Sequence, residues 1–302
     1  MKQEKLIFSS IIYPTESSQR NTLLWADSIR SFAGAMAQTP VWLYVPEYGK
    51  QLSPNIRDEL AALKVKLIRF KLDNEALRFP FTADITAASL AESKTIGQTD
   101  FLVWLGSNTI FLQEPKEFIL SQDKNFAYRP VHHTLIGSLY DKPPDRFWKL
   151  IYQYCKVPND RIFPMTTHVD GNIIRPYFNA GLLVTRPEKS LFRSWQETFF
   201  QYYQEPELLE FYQQDERYAI FIHQAILSGV VLSTLLKNEI QELPLIYNYP
   251  LHLYSEDITN HRLSSLTELV TVRHEGFQSI REAIKEISTP EPFKKWFDKV
   301  LK

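Results

Sequence analysis

The short polar segment Gly106-Ser107-Asn108 interrupts an apolar stretch that begins with Phe101-Leu-Val-Trp-Leu105. Five bulky apolar residues in a row predict a strand that is buried on both faces, and a second apolar run, Thr109 to Leu112, follows the break. Side chains at positions 106 and 108 of an extended segment point to the same side, where two carboxylates would hold a hard divalent cation. In this chain Gly106 has no side chain and Asn108 has a neutral amide, so no metal site is predicted at this turn. The alternative is a turn that joins two buried strands.

A second polar turn, Phe178-Asn-Ala-Gly181, stands in front of another apolar run. Asn179 tolerates a left-handed backbone and offers both a donor and an acceptor, while Gly181 has no side chain to keep a ligand away. Asp170-Gly171 comes shortly before and predicts a two-residue β-hairpin. The turn has the composition of a binding loop, and the alternative is a simple entry into a strand.

Histidine, glutamine and arginine side chains accompany these segments. His274 follows the last predicted strand, and its neutral imidazole can donate a hydrogen bond to a phosphate. The alternative is a histidine on the protein surface. The pair His223-Gln224 lies in a predicted helix and is a candidate for the functional site. The alternative is a half-buried pair without a catalytic role. An arginine fork binds phosphate at two points and can replace a metal ion electrostatically. Three arginines lie close to these segments in the sequence: Arg129, Arg175 and Arg186. The alternative is that they are ordinary surface residues.

The composition excludes several classes of function. The net charge of −1 over 302 residues gives no overall field that would recruit nucleic acid or an anionic membrane. The nine glycines are spaced so widely that no dinucleotide fingerprint, P-loop or nucleophile elbow can be written. The single cysteine, Cys155, excludes an intramolecular disulfide and a cysteine-based zinc site.

No apolar run approaches the roughly 18 residues of a membrane span. The N-terminal run from Leu6 to Ile12 is shorter than a signal-peptide core and lacks a small-residue cleavage site. The sequence therefore predicts a cytoplasmic protein without an integral membrane segment.

Strands and helices alternate in the first half of the chain. The predicted strands are 6–12, 41–45, 65–70 and 101–105, and the predicted helices begin at Ser17 or Ser18, at Pro54 after a Ser53 cap, and at Ala83. This order predicts parallel strands with right-handed crossovers.

The second half of the chain is predicted to mix strands, helices and loops. We predict a strand at 126–133, helices at 145–155, 188–203 and 215–227, and a solvated acidic loop at 205–210. We further predict a buried extended piece at 243–250, a strand at 269–273 and a closing helix from Phe293. The prediction is one domain over residues 1–302, with a nucleotide-binding half at 1–114, a second half at 115–287 and a C-terminal helix at 288–302.

Taken together, these features resemble the glycosyltransferases of the A-type, or nucleotide-diphospho-sugar transferase, fold. The family's Asp-any-Asp motif falls at Gly106-Ser107-Asn108, where neither aspartate is present. The segment 178–181 resembles the Phe-Asn-Ala/Ser-Gly turn that lines the family's sugar-donor pocket. Gln224 matches the family's Asp-Gln pair, with His223 in place of the acid. His274 resembles a late metal-binding histidine of glycogenin-like enzymes, although Gly276 falls one residue early.

The resemblance implies an α/β fold with a mixed, mostly parallel sheet flanked by helices, and a nucleotide-sugar donor at the C-terminal edge of that sheet. The acceptor class is not indicated, and a divalent metal is not expected. Two further readings stay open: a metal-independent transferase that uses arginine or lysine, and a non-catalytic binder of a nucleotide, sugar or protein. The implied donor-binding residues are Ser9, Ser10, Tyr13, Asn108, Gly181 and His274. The implied catalytic residues are Asn179 and Gln224.

Overall fold

The first half of the chain follows the predicted alternation of strands and helices. The computed structural model describes residues 4–47, 51–73, 75–260 and 262–301. The elements of this half are β1 (Glu4–Ile11), α1 (Glu16–Phe32), β2 (Val41–Pro46), α2 (Pro54–Ala62), β3 (Val65–Phe70), α3 (Thr82–Thr95), β4 (Thr99–Leu105) and β5 (Thr109–Phe111).

The second half mixes short strands with longer helices. Its elements are β6 (Phe126–Pro130), α4 (Arg146–Tyr154), β7 (Met165–Thr166), β8 (Ile173–Ile174), β9 (Phe178–Thr185), α5 (Leu191–Tyr202), α6 (Pro206–Gln214), α7 (Glu216–Thr234), β10 (Ile240–Glu242), β11 (Tyr249–Pro250), β12 (Thr271–Arg273), α8 (Phe277–Glu286) and α9 (Phe293–Val300).

A seven-stranded sheet in the order β10-β6-β9-β4-β1-β2-β3 forms the centre of the protein. Strand β9 runs antiparallel to its neighbours β4 and β6, and the other pairs are parallel. The predicted mixed, mostly parallel sheet is therefore confirmed. A smaller sheet, β11-β12-β5, pairs β12 of the second half with β5 of the first in an antiparallel register. The boundaries predicted at residues 114 and 287 stay predictions.

Helices cover both faces of the large sheet. Leu102 and Trp104 of β4 pack with α3, α5 and α7, while Phe101, Val103 and Leu105 pack with α1 and α2. This strand is buried on both faces, as its unbroken apolar run predicts. A third apolar cluster joins the small sheet to α8 and α9.

Several local predictions were wrong. The acidic stretch at 205–210 is not a loop, because Pro206 starts α6, and Leu208 and Phe211 are buried on one side of it. Thr15, rather than Ser17 or Ser18, caps α1 by accepting from the Ser18 N–H. The predicted hairpin exists, but Met165–Thr166 pairs with Ile173–Ile174 across a six-residue loop rather than a two-residue turn.

Two further differences lie near the C-terminus. The piece at 243–250 is mostly a turn, with Asn248 at a φ of 50°, and only its last two residues form a strand. Helix α8, at Phe277–Glu286, was not predicted, whereas the closing helix from Phe293 is confirmed. No helix within the described ranges has both the length and the apolar character needed to cross a membrane. The cytoplasmic location stays a prediction.

One buried serine fastens helix α1 to β5. Ser28 Oγ accepts from the Phe111 N–H at 3.0 Å and donates to the Trp25 carbonyl at 2.7 Å. The Ser28 side chain is fully buried. Because Phe111 is paired in register with Thr271, this bond also holds the strand β12.

We expect Ser28→Ala to lower the free energy of unfolding by about 1–3 kcal/mol, because it leaves the buried Phe111 N–H without this acceptor. Urea denaturation monitored by circular dichroism measures the change. Ser31→Ala is the matched control, since Ser31 lies on the exposed side of the same helix and bonds only to Asp27. We expect it to change stability by about 0.5 kcal/mol or less. Equal losses in the two variants would contradict this role of Ser28.

Candidate active site

A cavity of about 660 Å³ opens where strands β1 and β4 end. The chain runs outward from β1 through β2 and β3, then returns to place β4 on the other side of β1. Ligands of open α/β sheets bind at such a switch point. The residues that line the cavity are Ile11, Tyr13, Thr15, Ser17, Ser18, Asn21, Phe81, Asp84, Trp104, Gly106, Ser107, Asn108, Ala180, Gly181, Trp195, Phe221, His223, Gln224, Arg273 and Glu275.

The two polar segments singled out in the sequence lie side by side at this wall, but 178–181, predicted as a turn, is the first part of strand β9, and only 106–108 is a turn. The Gly106 N–H donates to the Gly181 carbonyl at 2.8 Å, because β4 and β9 are antiparallel neighbours. Asn108 faces the last strand, and its Nδ2 donates to the His274 carbonyl at 2.8 Å. The fold thus brings together Tyr13, Asn108, Gly181 and Gln224, whose roles in binding or catalysis stay predictions.

The first residues of β9 are held by amide side chains. Gln224 Oε1, on α7, accepts from the Ala180 N–H at 2.9 Å while the residue also lines the cavity. Asn179 Oδ1 accepts from the Gly181 N–H at 2.8 Å. Asn179 is buried and is not part of the wall, so the structure gives it a positioning contact rather than a position beside a ligand.

Ser9 and Ser10 do not reach the cavity, and their assignment to donor binding is corrected here. Both lie inside β1, a central strand with helices over its two faces, and both are fully buried. Their hydroxyls have no hydrogen-bond partner among the described residues. The strand end, at Ile11 and Tyr13, forms the wall instead.

His274 is also completely buried and lies behind the wall, between two residues that line it. The Gly276 N–H donates to its Nδ1 at 3.0 Å, which assigns the proton of the neutral ring to Nε2. Burial lowers the pKa of His274 to about 3, so the ring is neutral at physiological pH. Its Nε2 is thus a hydrogen-bond donor, with no partner among the described residues.

The three arginines proposed from the sequence as phosphate ligands are structural. Arg129 donates to the Leu243 carbonyl at 2.7 Å, and Arg186 to the Lys124 carbonyl at 2.9 Å. Arg175 bonds to the Leu139 and Lys142 carbonyls. None of the three belongs to the described wall of the cavity, because each satisfies backbone oxygens of nearby loops.

The arginine that does line the cavity was not predicted from the sequence. Arg273 ends β12, and its guanidinium lies against Gly181 so closely that a Cβ there would collide with Nη1. Its Nε lies 3.5 Å from a carboxylate oxygen of Glu275. The adjacent His274 drew attention to this segment, but nothing in the sequence shows that the end of β12 meets residues 106–108.

Asp84 was missed as well. It lies in the first turn of α3, and Tyr13 donates its phenolic proton to the Asp84 carboxylate. Burial raises the pKa of Asp84 to about 6, against smaller opposing effects of the Tyr13 hydrogen bond and the Arg273 charge. An acidic residue at the start of an otherwise alanine-rich, buried helix was the available signal.

Three rings stack on one side of the cavity. His223 lies between Phe81, at 4.2 Å between ring centroids, and Trp195, at 6.3 Å. Burial lowers the pKa of His223 to about 3, and its Nδ1 donates to the Ile220 carbonyl. Phe81 has a φ of 62°, an uncommon conformation for a residue with a side chain, immediately before α3. The stack gives the cavity a flat, apolar side.

The residues at this site do not fit a divalent cation. Gly106 offers no ligand, and His274 in the assigned tautomer presents a proton rather than a lone pair. Arg273 adds a positive charge that repels a second cation. Within the described residues, no group of three or more histidine, cysteine or acidic side chains is arranged to hold a metal ion.

We expect Asp84→Asn to stabilise the protein more at pH 8 than at pH 4. The pKa of Asp84 in the fold lies above its unfolded value, so its contribution to stability is complete below about pH 4 and is lost as pH rises through about 6. The neutral amide avoids that loss and still accepts from Tyr13. Denaturant unfolding at the two pH values should show a difference of roughly 1–3 kcal/mol. A pH-independent effect would contradict the raised pKa.

Two solved structures of the galactosyltransferase LgtC resemble this fold. One is LgtC in complex with donor and acceptor sugar analogs: its TM-score is 0.51, its identity 14%, and the match covers 96% of this chain and 99% of that one. The other is an active-site mutant of LgtC, with a TM-score of 0.50, 14% identity, and coverage of 95% and 99%. At this identity the likeness confirms the fold, that of the A-type glycosyltransferases.

Sequence comparison identifies the family. No curated protein sequence matches this chain. Residues 10–231, from the end of β1 to near the end of α7, match the family described as the Rhodobacterales glycosyltransferase domain. This range includes the cavity residues on β1, α1, α3, β4, β9 and α7. The chain therefore belongs to the Rhodobacterales glycosyltransferase domain family.

Proposed function

We propose that this protein transfers a hexose from a nucleotide-diphospho-sugar to an acceptor hydroxyl, without a divalent metal at residues 106–108. The observation that carries the proposal is the cavity at the switch point of the sheet, where the start of β9 and Gln224 meet the end of β4. Its volume of about 660 Å³ is in the range of small-molecule sites. LgtC, a galactosyltransferase of the same fold crystallised with donor and acceptor sugar analogs, supports the substrate class.

The donor has suitable surroundings along the cavity. The first turns of α1 contribute Ser17, Ser18 and Asn21, and the N-terminus of this 17-residue helix favours negative charge. The wall also carries Arg273 and the amide of Gln224. The stack of Phe81 on His223 offers a flat apolar surface for a sugar ring or a base.

The net reaction breaks the bond between the anomeric carbon and a diphosphate oxygen and forms one from that carbon to the acceptor oxygen. A nucleoside diphosphate leaves, and the acceptor hydroxyl gives up its proton. Asp84 is the proposed proton acceptor, since it lines the cavity and its pKa of about 6 leaves it ionised at neutral pH.

We expect a nucleotide sugar to stabilise the protein in EDTA as well as in Mn²⁺. A panel of UDP-, GDP- and dTDP-sugars in a thermal-shift assay measures this. A ligand at 100 times its Kd adds about 2.7 kcal/mol, which raises the melting temperature by a few degrees. The base that produces the shift identifies the donor. No shift with any member of the panel would contradict the proposal and favour the non-catalytic reading.

We expect Gln224→Glu to reduce turnover about tenfold or more while the protein stays folded. A glutamate oxygen can still accept from the Ala180 N–H, but the variant loses the amide donor and adds negative charge beside the donor site. Release of nucleoside diphosphate measures the rate. The control is Gln196→Glu on α5, where the amide bonds to Thr86 outside the cavity wall. Equal activity of the two variants would remove Gln224 from the mechanism.

A further inference from the structure

We infer that the Arg273 guanidinium binds the diphosphate of the donor and does there the electrostatic work that a divalent cation would otherwise do. This inference rests on the proposed function and deepens it. It assigns the binding of the anion to one side chain of the cavity wall.

The position of Arg273 follows from strand pairing. In the antiparallel pair β5–β12, Arg273 lies opposite Thr109, the residue that directly follows the turn at 106–108. Its guanidinium packs against Gly181, whose carbonyl accepts from the Gly106 N–H. The cation thus lies next to both polar segments that the sequence singles out, 106–108 and 178–181.

The donors of Arg273 are largely uncommitted. Among the described residues, its ionic contact is that of Nε with Glu275 at 3.5 Å, and the Glu275 side chain is 56% exposed, so this pair is weak in water. The two terminal nitrogens make no hydrogen bond to any residue that the structure describes. Arg129, by contrast, is buried and bonded to both Glu242 and the Leu243 carbonyl.

Glycines at 181 and 106 leave space for the side chains of Arg273 and Asn108, respectively. A Cβ at position 181 would collide with the guanidinium, and one at 106 would lie 2.6 Å from the Asn108 amide oxygen. The absence of carboxylates at 106 and 108 leaves Glu275 as the acid in contact with Arg273 among the described residues.

The charged side chains that line the cavity favour one position for a diphosphate. Among the described lining residues Arg273 is the one positively charged side chain, and the carboxyl groups are Asp84 and Glu275. A guanidinium fork can bind two phosphate oxygens and is a permanent cation. Bound there, it stabilises the negative charge that develops on the leaving diphosphate when the bond to the sugar breaks.

Titration calorimetry with inorganic pyrophosphate in EDTA tests the inference without knowledge of the base or sugar. We expect the wild type to bind, Arg273→Gln to weaken binding by about tenfold or more, and Arg273→Lys to fall between them, because lysine keeps the charge but loses the fork. Glu275→Gln should strengthen binding, since it removes the acid that competes for Arg273. The control is Arg146→Gln, which removes an exposed arginine paired with Glu210 and leaves affinity unchanged.

If Arg273→Gln folds poorly, Glu275→Gln still tests the inference, because we expect this variant to bind pyrophosphate more tightly than the wild type. Binding that needs Mn²⁺, or that is indifferent to both residues, would overturn the inference. Two results separate it from the proposed function. Transfer from a nucleotide sugar that occurs only with Mn²⁺ defeats the role of Arg273 and leaves the transferase proposal standing. Pyrophosphate binding that depends on Arg273, with no transfer from any nucleotide sugar, supports the role of Arg273 and contradicts the transferase proposal.

Discussion

The pairing of β5 with β12 is the constraint on which the rest of the site depends. It places the end of β12 opposite the residue that follows the turn at 106–108, although the two strands come from opposite halves of the chain. Ser28 holds β5 from the other side through the Phe111 N–H. Without this pairing, the cavity would keep the ends of β1 and β4 but would lose its positive charge.

That charge also shapes its surroundings. Burial lowers the pKa values of His132, His223 and His274, and the nearby Arg273 lowers each of them further. The three rings are therefore neutral at physiological pH and serve as packing and hydrogen-bonding groups. Among the described residues that line the cavity, positive charge is confined to one side chain, Arg273.

The fold was predictable where local pattern and tertiary packing agree. The strand β3 lies at the predicted residues 65–70, and the Ser53 cap with its first-turn proline starts α2 as expected. The prediction failed at α6, because the acidic residues around Leu208 suggested a solvated loop and hid the two apolar positions that pack. The exposed face of a helix carries such charges without penalty.

The sequence by itself determined the alternating half of the sheet, the buried strand β4, and the small polar turn at 106–108, but not that residues 178–181 belong to β9. These depend on apolar runs, caps and glycines that act over a few residues. Only the tertiary structure decided which polar groups face the cavity. Ser9 and Ser10 are sealed within β1 by helices on both sides, whereas Arg273 reaches the site through a pairing between distant segments. Side-chain type is local information, but access and partnership arise from contacts that no short segment encodes.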